Sequence, residues 1–326
     1  MLKRHRAIVL GLALLLGVAV AAGAVAAQLV KLPAVAAAAP ATHETATPLG
    51  ALTLEGTTFV PDTAKTNILF LGIDQELTSE ESDVAGTAGR SDVILLFSLD
   101  HAANTTCVLQ ISRDTIVPVK VYDANDRYLY LSQMQITMQH AYASSARRAN
   151  WLSEEAVRDL LGGDIIINYT VSLSMEGIAA VVDAMGGVPY TVPANCTDLD
   201  PAFTEGTALT LTGEQAMTLV RSRDTALSGS NHDRMERQQS FIHAALRQAK
   251  ALEHDTFLDI VQNTAAPYLE SDLDADTLSR LINSQLNENF VVLAGNNQVL
   301  DGHDAYHLDE TAAQKQIVEL LYKIYE

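Results

Sequence analysis

The stretch NILFLGID, residues 67–74, decides the fold of this chain. It is a nearly continuous apolar run that ends at a glycine and an aspartate, which is typical of a strand buried on both faces. VILLFSL at 93–99 and CVLQIS at 107–112 have the same character. We therefore expect buried strands at all of these places.

Helical patterns follow, and further short strands separate them. WLSEEAVRDLLGG (151–163) predicts a helix with Ser153 as its cap and Gly162 as its stop, and LTGEQAMTLVRSR (211–223) starts with a capping box of Thr212 and Gln215. The other predicted elements are helices at 172–187, closed by Gly186 and Gly187, and at 232–252, 256–270, 276–288 and 310–325, with strands at 165–171 and 290–293 and an edge strand at 188–193. Strands that alternate with helices predict an α/β fold, a three-layer α-β-α sandwich with a central mixed sheet, as one domain over 65–326.

The N-terminus carries basic residues before a long uncharged segment. MLKRHR precedes residues 7–30, which would span about 36 Å as a helix, enough to cross the hydrocarbon core of a membrane. We therefore expect a cytoplasmic tail at 1–6, a single transmembrane anchor at 7–30 in the bacterial cell membrane, and an Ala-, Pro- and Thr-rich linker at 31–64. A cleaved signal peptide is the alternative, because AAGAVAAQ offers small-residue cleavage sites. Both interpretations place the folded part outside the cytoplasm.

The composition limits the classes of partner and of metal site. The chain has 40 Asp and Glu residues against 21 Lys and Arg residues, a formal net charge of −19. Non-specific nucleic-acid binding needs a positive face, so this balance argues against nucleic acid as a partner. An exported location permits a disulfide between Cys107 and Cys196, and two buried thiols are equally compatible with the sequence. No CxxC motif or Cys/His cluster indicates zinc.

Four arginines gather in VRSRDTALSGSNHDRMERQQ, residues 220–239. Arg234 and Arg237 are three residues apart on a predicted helix and share a face with Gln238, while Arg221 and Arg223 end the preceding helix. Each guanidinium group binds phosphate oxygens as a fork, so several together can hold a pyrophosphate.

Carboxylates in the same stretch leave other readings open. Asp224, Asp233 and Glu236 could pair with the arginines in a salt-bridged surface. Asp224 or Asp233 could instead be the base that takes a proton from an attacking hydroxyl group. The sequence alone does not choose between the two aspartates.

Charged residues also flank the predicted strands. Asp74 follows the first strand, Arg90 and Asp92 precede the second, and Arg113 follows the third. Ligands of open α/β sheets collect near strand ends. Asp74 and Asp92 could hold one Mg²⁺, which prefers a few carboxylates together with phosphate oxygens, although each aspartate alone is typical of a turn or cap.

In combination these motifs resemble the LytR–CpsA–Psr family of cell-wall enzymes. The matching motifs, in chain order, are NILFLGID, GRSDVILLFSL, LQISRDTIVPV, HAYA, VVDAMGGVPYTVP, LTGEQAMTLVRSRD and DRMERQQ. They cover roughly residues 65–250, and a weaker helical continuation reaches the C-terminus. Their occurrence in this order is far more specific than any single motif.

The resemblance implies a phosphotransferase that moves a glycopolymer from an undecaprenyl-pyrophosphate carrier to peptidoglycan, forms a phosphodiester link and releases polyprenyl phosphate. It assigns Asp74 and Asp92 to Mg²⁺, with Mn²⁺ as an alternative ion. It implies a role in catalysis for Arg113 and an apolar groove between sheet and helices for the carrier's tail, while Asp224 and Asp233 stay the candidate bases from the sequence. The implied pyrophosphate clamp consists of Arg90, Arg113, Arg221, Arg223, Arg234, Arg237 and Gln238.

Several departures from the family pattern lie close to these residues, and two other functions fit them. Gln135 stands where a lysine commonly precedes the HAYA motif, which removes one expected positive charge. Ser112 stands where the family usually has a proline before Arg113, and Asn231 stands three residues before Arg234, where the family often has an aspartate. A polyprenyl-pyrophosphate hydrolase would use the same groups with water as the acceptor. A non-catalytic envelope protein or regulator that binds the lipid carrier is the other alternative. The polymer stays open, with teichoic acid, capsule polysaccharide, secondary wall polysaccharide and protein-linked glycan all compatible.

Overall fold

The computed structural model describes residues 48–75, 89–222, 230–288, 290–300 and 302–325. The predicted tail at 1–6, the predicted anchor at 7–30 and most of the predicted linker lie outside these ranges. Inside them, no helix combines the length and the apolar character that crossing a membrane would require.

Strands and helices alternate through the described chain. The strands are β1 (Leu52–Leu54), β2 (Thr57–Pro61), β3 (Lys65–Ile73), β4 (Ser91–Asp100), β5 (Thr105–Gln110), β6 (Ile116–Tyr122), β7 (Tyr128–Gln135), β8 (Tyr169–Ser174), β9 (Val188–Thr191), β10 (Ala208–Leu211), β11 (Leu269–Ser271), β12 (Gln285–Leu286), β13 (Val291–Val292), β14 (Gly295–Leu300), β15 (His303–Leu308) and β16 (Tyr322–Ile324). The helices are α1 (Met138–Ala141), α2 (Ala146–Leu160), α3 (Met175–Ala184), α4 (Gly213–Arg221), α5 (Ser230–Ala251), α6 (His254–Asp259), α7 (Ala275–Asn283) and α8 (Glu310–Leu321).

The central sheet is mixed, as the sequence predicts. Its strand order is β11-β8-β3-β4-β5-β12, and β13 also pairs with β5. β3 pairs with β4 in antiparallel and with β8 in parallel orientation, and β5 is antiparallel to β4. The α/β class with a central mixed sheet is therefore confirmed.

Apolar side chains project from both faces of this sheet, because neighbouring residues of a strand point to opposite sides. Ile68 and Phe70 of β3 face a core built with α3, α4, α5, α6 and α7. Leu69 and Leu71 face a second core, built with α2, α8 and the β6–β7 ribbon. Each fully buried side chain of this kind contributes about 1.5–3 kcal/mol of transfer free energy. The sheet is thus covered on both faces, and one of the covers is part helix and part ribbon.

The predicted helix ends agree with the structure at the start of α4 and at the end of α3, but not at the start of α2. The capping box of Thr212 and Gln215 is present at the start of α4. Gly187 adopts a left-handed φ of 90°, and a Cβ there would lie 2.4 Å from Thr210 Cγ2, so only glycine fits after α3. The cap predicted at Ser153 is wrong: α2 begins at Ala146, the Ser145 side chain accepts from the backbone of Arg148, and Ser153 is buried within the helix.

The helix predicted at 256–270 is broken in the structure. α6 ends at Asp259, a π-helical turn covers Ile260–Ala265, and a 3-10 turn covers Ala266–Tyr268. Pro267 lies in that last turn and cannot donate the backbone hydrogen bond that a continuing helix needs. The chain then forms β11 at the edge of the sheet.

Several strands were not predicted from the sequence. β1 and β2 form a small sheet with β16, so the predicted linker at 31–64 is wrong for residues 52–61, and the folded part begins before Lys65. β6 pairs with β7 and β14 with β15 as antiparallel ribbons. The predicted edge strand at 188–193 is β9, which pairs with β10 outside the central sheet.

The cysteines are thiols, and no disulfide joins Cys107 to Cys196. Cys107 accepts a hydrogen bond from Asn287 Nδ2 at 2.9 Å. Cys196 is fully buried, and this burial raises the pKa of its thiol to about 11. The structure therefore favours thiols over a disulfide, and of the two thiols Cys196 is buried while Cys107 is half-buried.

Candidate functional site

A β-bulge places Asp92 at the centre of the site. β3 and β4 pair in register as far as Gly72 and Val93, but the next pair is Ile73 with Ser91. Asp92 is therefore the extra residue of β4. Bulges re-aim a side chain and are common beside active sites.

The carboxylate of Asp92 binds two arginines. Arg113 Nη1 donates to Asp92 Oδ1, and Arg234 Nη1 lies 3.4 Å from Asp92 Oδ2. The side chains of Asp92, Arg113 and Arg234 are only 8%, 5% and 2% exposed. One buried carboxylate thus stands between two buried guanidinium groups, and such desolvated, charge-assisted contacts are strong. An anion can reach these guanidinium groups only where a neighbouring group moves aside.

Polar neighbours fix the orientation of both arginines. Arg234 Nη2 donates to Asn231 Oδ1, and Asn231 Nδ2 donates to Ser112 Oγ at 2.9 Å. Arg113 Nε lies 3.5 Å from Asp114 Oδ1. The cluster therefore joins the end of β5 to the first turns of α5.

Gln135 takes part in the same network. Its Nε2 donates to Asp114 Oδ1 at 2.9 Å and to the backbone carbonyl of Asp304 at 2.6 Å. The glutamine thus occupies the position of the missing lysine as a neutral donor beside the Arg113–Asp114 pair.

Arg237 and Gln238 point to the end of α4. Arg237 Nε donates to the carbonyl of Leu219 at 3.2 Å, Arg237 Nη2 donates to the carbonyl of Ser222, and Gln238 Nε2 donates to the carbonyl of Val220 at 3.0 Å. The last carbonyls of a helix have no partner within it, so these side chains cap α4. Burial lowers the pKa of Arg237. Both residues are part of the predicted clamp, and here they bind backbone carbonyls.

A second carboxylate–arginine pair lies at the end of β3. The backbone N–H and Nε of Arg90 donate to Asp74 Oδ1 and Oδ2 at 2.7 and 3.0 Å. Gly89 precedes this arginine with a left-handed φ of 82°, and a Cβ there would lie 2.8 Å from Ile73 Cγ2. The side chain of Arg90 is 48% exposed, which makes it the accessible member of the predicted clamp at this strand end.

The other predicted site residues lie outside the buried cluster or outside the described ranges. Arg221 is exposed at the end of α4, and Asp233 is exposed on the first turn of α5. Arg223 and Asp224 fall within 223–229, which the structure does not describe. For Arg234 the structure does not support the alternative of a salt-bridged surface. The carboxylate that Arg234 contacts is that of Asp92, on a strand that is distant in sequence.

Asp74 and Asp92 have the donor chemistry of a Mg²⁺ site. They lie beside the Ile73–Ser91 pair, at neighbouring strand ends. Carboxylate oxygens are the hard ligands that Mg²⁺ takes, usually one or two together with phosphate oxygens and water. Among the described residues, no group of three or more His, Cys, Asp or Glu side chains could hold a metal ion. In the structure both carboxylates are paired with arginines, Asp74 with Arg90 and Asp92 with Arg113 and Arg234. The Mg²⁺ site stays a prediction from their donor chemistry.

An apolar pocket adjoins the arginine cluster on the α3–α5 face of the sheet. Val93 and Gln238 line it together with Leu173, Ile178 and Phe241. Val93 follows Asp92 directly, and Gln238 lies one turn of α5 beyond Arg234. Its open space is about 30 Å³, so a long hydrocarbon chain could enter only if α3 and α5 moved apart. The charged cluster and the apolar pocket thus share a border.

Sequence reasoning did not assign Ser112 or Gln110 to the site. Gln110 Nε2 donates to Gln238 Oε1 at 3.3 Å, and Gln110 and Ser112 are buried at or after the end of β5. A polar residue within an otherwise apolar buried strand is the signal that could have found Gln110, because an unsatisfied amide is costly there.

Known proteins resemble this chain in sequence and in fold. The LytR_cpsA_psr family profile matches residues 29–321. Biofilm regulatory protein A of Streptococcus mutans is 27% identical over 205 residues, 61% of this chain and 47% of that protein. A protein of Halalkalibacterium halodurans, the polyisoprenyl-teichoic acid–peptidoglycan teichoic acid transferase TagU, is 25% identical over 215 residues, 66% of this chain and 63% of that protein. The match thus spans about half to two thirds of these relatives.

The fold is also that of a solved structure, TagT bound to LIIa-WTA. It is 24% identical, with a TM-score of 0.57, over 79% of this chain and 90% of that chain. At this identity the likeness shows the fold alone. The family match covers most of the chain, and the chain therefore belongs to the LytR_cpsA_psr family.

Proposed function

We propose that this chain is a phosphotransferase that moves a glycopolymer from a polyprenyl-pyrophosphate carrier to peptidoglycan. The observation that carries the proposal is the shared border between the buried Arg113–Asp92–Arg234 cluster and the apolar pocket. A lipid pyrophosphate needs cationic ligands for its head and apolar cover for its tail. Names of relatives, teichoic acid transferase TagU among them, support a transferase role.

In the proposed reaction an acceptor hydroxyl oxygen attacks the phosphorus that bears the sugar. The bond from this phosphorus to the bridging oxygen breaks, and polyprenyl phosphate leaves with the electron pair. Arg113 and Arg234 would hold the phosphate oxygens and stabilise the charge that develops on them. Bound Mg²⁺ would be held by Asp74 and Asp92 and would neutralise phosphate charge. The hydroxyl proton would pass to a base, for which Asp233 is the described candidate and Asp224 the other.

The proposal includes the place of the protein in the cell. The basic residues at 1–6 and the uncharged segment at 7–30 support a single-pass anchor in the bacterial cell membrane, with the domain outside. The carrier's pyrophosphate also lies at the membrane surface, so such an anchor would keep the site close to its substrate. Teichoic acid and capsule polysaccharide both fit as the polymer.

A reconstituted reaction tests the function. The purified full-length protein is mixed with Mg²⁺, a polyprenyl-pyrophosphate-linked sugar and uncrosslinked peptidoglycan fragments. The products are then identified by mass spectrometry. We expect a glycan–phosphate–peptidoglycan adduct and free polyprenyl phosphate. Sugar phosphate without an adduct would indicate the hydrolase, and lipid binding without turnover would indicate a non-catalytic carrier-binding protein.

Ile178→Glu should separate binding of the lipid tail from binding of the head group. Ile178 is half-buried in the wall of the apolar pocket, where a carboxylate would oppose a hydrocarbon tail. We expect the KM for the polyprenyl substrate to rise about tenfold or more, while affinity for inorganic pyrophosphate stays unchanged. Ile178→Val is the matched control, and an unchanged KM in Ile178→Glu would place the tail elsewhere.

A further inference from the structure

A second cleft, of about 260 Å³, lies between α2, β8 and β11. Trp151, Asn150 and Glu154 of α2 line it together with Glu270 and Asp272 at β11. It is remote from the arginine cluster. Thr170, also in its wall, pairs with Leu69 of β3, and Asp74 lies five residues further, about 16 Å along the strand. The cleft therefore belongs to a different edge of the sheet.

Asn150 provides a buried acceptor in this cleft. The residue is 6% exposed, and its Oδ1 has no hydrogen-bond partner among the described residues, whereas its Nδ2 donates to the backbone carbonyl of Glu270 at 3.3 Å. A carbonyl can only accept, so the amide orientation is fixed and the oxygen is the atom left over. A buried polar atom without a partner is costly, and a donor on a ligand would remove that cost.

The charged groups of the lining are mostly negative. Glu154, Glu270 and Asp272 are three carboxylates against the single guanidinium group of Arg147, which lies 3.4 Å from Glu270 Oε1. Glu154 accepts from Thr170 and pairs with Arg158, whose Nη1 lies 3.4 Å from Glu154 Oε1, and burial raises the pKa of this carboxylate all the same. Asp272 accepts from the backbone N–H of Thr170 and has no ion pair among the described residues. A ligand that contacts Asp272 and Asn150 Oδ1 must therefore bring hydrogen-bond donors and positive charge.

Trp151 adds an aromatic wall that is held in place. Its side chain is 45% exposed, and the guanidinium carbon of Arg148 lies 4.3 Å from the ring centroid. The same arginine packs on Tyr122 at 5.2 Å, so it is fixed between two rings. An indole ring beside acidic groups is a favourable surface for a second cation.

We propose that this cleft binds a protonated primary amine at the end of an aliphatic chain, as in a lysine-like side chain of a peptide. Asn150 Oδ1 and the carboxylates of Asp272 and Glu270 would accept from the ammonium group, and Trp151 would pack on the methylene chain. The volume favours such a narrow group, because whole ligands occupy clefts of roughly 300–1,000 Å³. A metal ion is disfavoured, since these carboxylates do not form a metal-binding group in the described ranges.

The cleft contains its own reporter, because Trp151 is the single tryptophan of the chain. The purified full-length protein is titrated with Nα-acetyl-lysine methylamide while tryptophan fluorescence is followed. We expect a saturable change, and none with the Nε-acetylated analogue, which keeps the shape but lacks the charge. Asn150→Ala and Asp272→Asn should each weaken binding roughly tenfold or more.

Glu253→Gln is the matched control, because Glu253 is exposed at the start of α6 and does not line the cleft. This variant should bind the probe as the wild type does. Asp272→Asn should also keep wild-type binding of pyrophosphate, which separates this cleft from the proposed transfer site. Equal responses to the acetylated and free amines would overturn the proposal, as would a response to N-acetylglucosamine or Ca²⁺ in place of the amine. Absence of any saturable change in a folded protein would overturn it as well.

Discussion

Arg234→Lys should reduce the rate of glycopolymer transfer on the order of 1,000-fold while the domain stays folded. Arginines that stabilise the charge of phosphoryl transfer are worth this much or more. Lysine keeps the charge but replaces a planar fork by a single point charge. In this protein the fork contacts Asp92 with one nitrogen and Asn231 with the other, and an ammonium group cannot hold both at that geometry.

The measurement is kcat with the lipid-linked substrate, read by release of polyprenyl phosphate. Arg127→Lys is the matched control, because Arg127 is 77% exposed and pairs with Asp123 in a surface turn. Urea unfolding, followed by the fluorescence of Trp151, checks that Arg234→Lys is folded. Transfer at the wild-type rate by a folded Arg234→Lys protein would remove Arg234 from the clamp.

The sequence predicts the centre of the fold because burial leaves a local trace. β3 and β4 are almost entirely buried, so their residues form continuous apolar runs. The β6–β7 ribbon leaves no such trace, since Tyr128, Leu129, Tyr130 and Leu131 are all exposed and show no alternation. β2 depends on a partner at the other end of the chain, where Val60 pairs with Lys323. Short strands whose partners are distant in sequence cannot be identified from local periodicity.

The candidate site shows the same limit. Its residue types and strand-end positions can be read from the sequence, but their partners cannot. Arg234 and Asp92 are 142 residues apart, and no local spacing indicates their contact. The bulge that makes Asp92 the extra residue of β4 is a matter of strand register. Conversely, helical spacing groups Arg234 with Arg237, whereas the structure directs Arg237 to the carbonyls at the end of α4.

Asp92→Asn should destabilise the protein and make its stability depend on an added anion. The substitution keeps the shape of the side chain but removes the charge between Arg113 and Arg234. Removal of one partner from a buried ion pair usually costs about 3–5 kcal/mol. Asp114 stays beside Arg113, so we expect the lower end of that range. The measurement is the free energy of unfolding from urea titration.

Inorganic pyrophosphate should then stabilise Asp92→Asn more than it stabilises the wild type. In the wild type an incoming anion meets arginines that already share a carboxylate, whereas in the variant it would supply the missing negative charge. A ligand that binds only the folded state raises stability with its concentration, so the rise in Tm with pyrophosphate reports this difference. Glu55→Gln, in the exposed pair with Lys315, should behave as the wild type in both measurements. Equal pyrophosphate shifts in wild type and Asp92→Asn would mean that Asp92 is not the counter-ion of the anion site. Asp92 would then keep only its proposed role as a Mg²⁺ ligand. Loss of Mg²⁺ stimulation of transfer in Asp92→Asn would test that role.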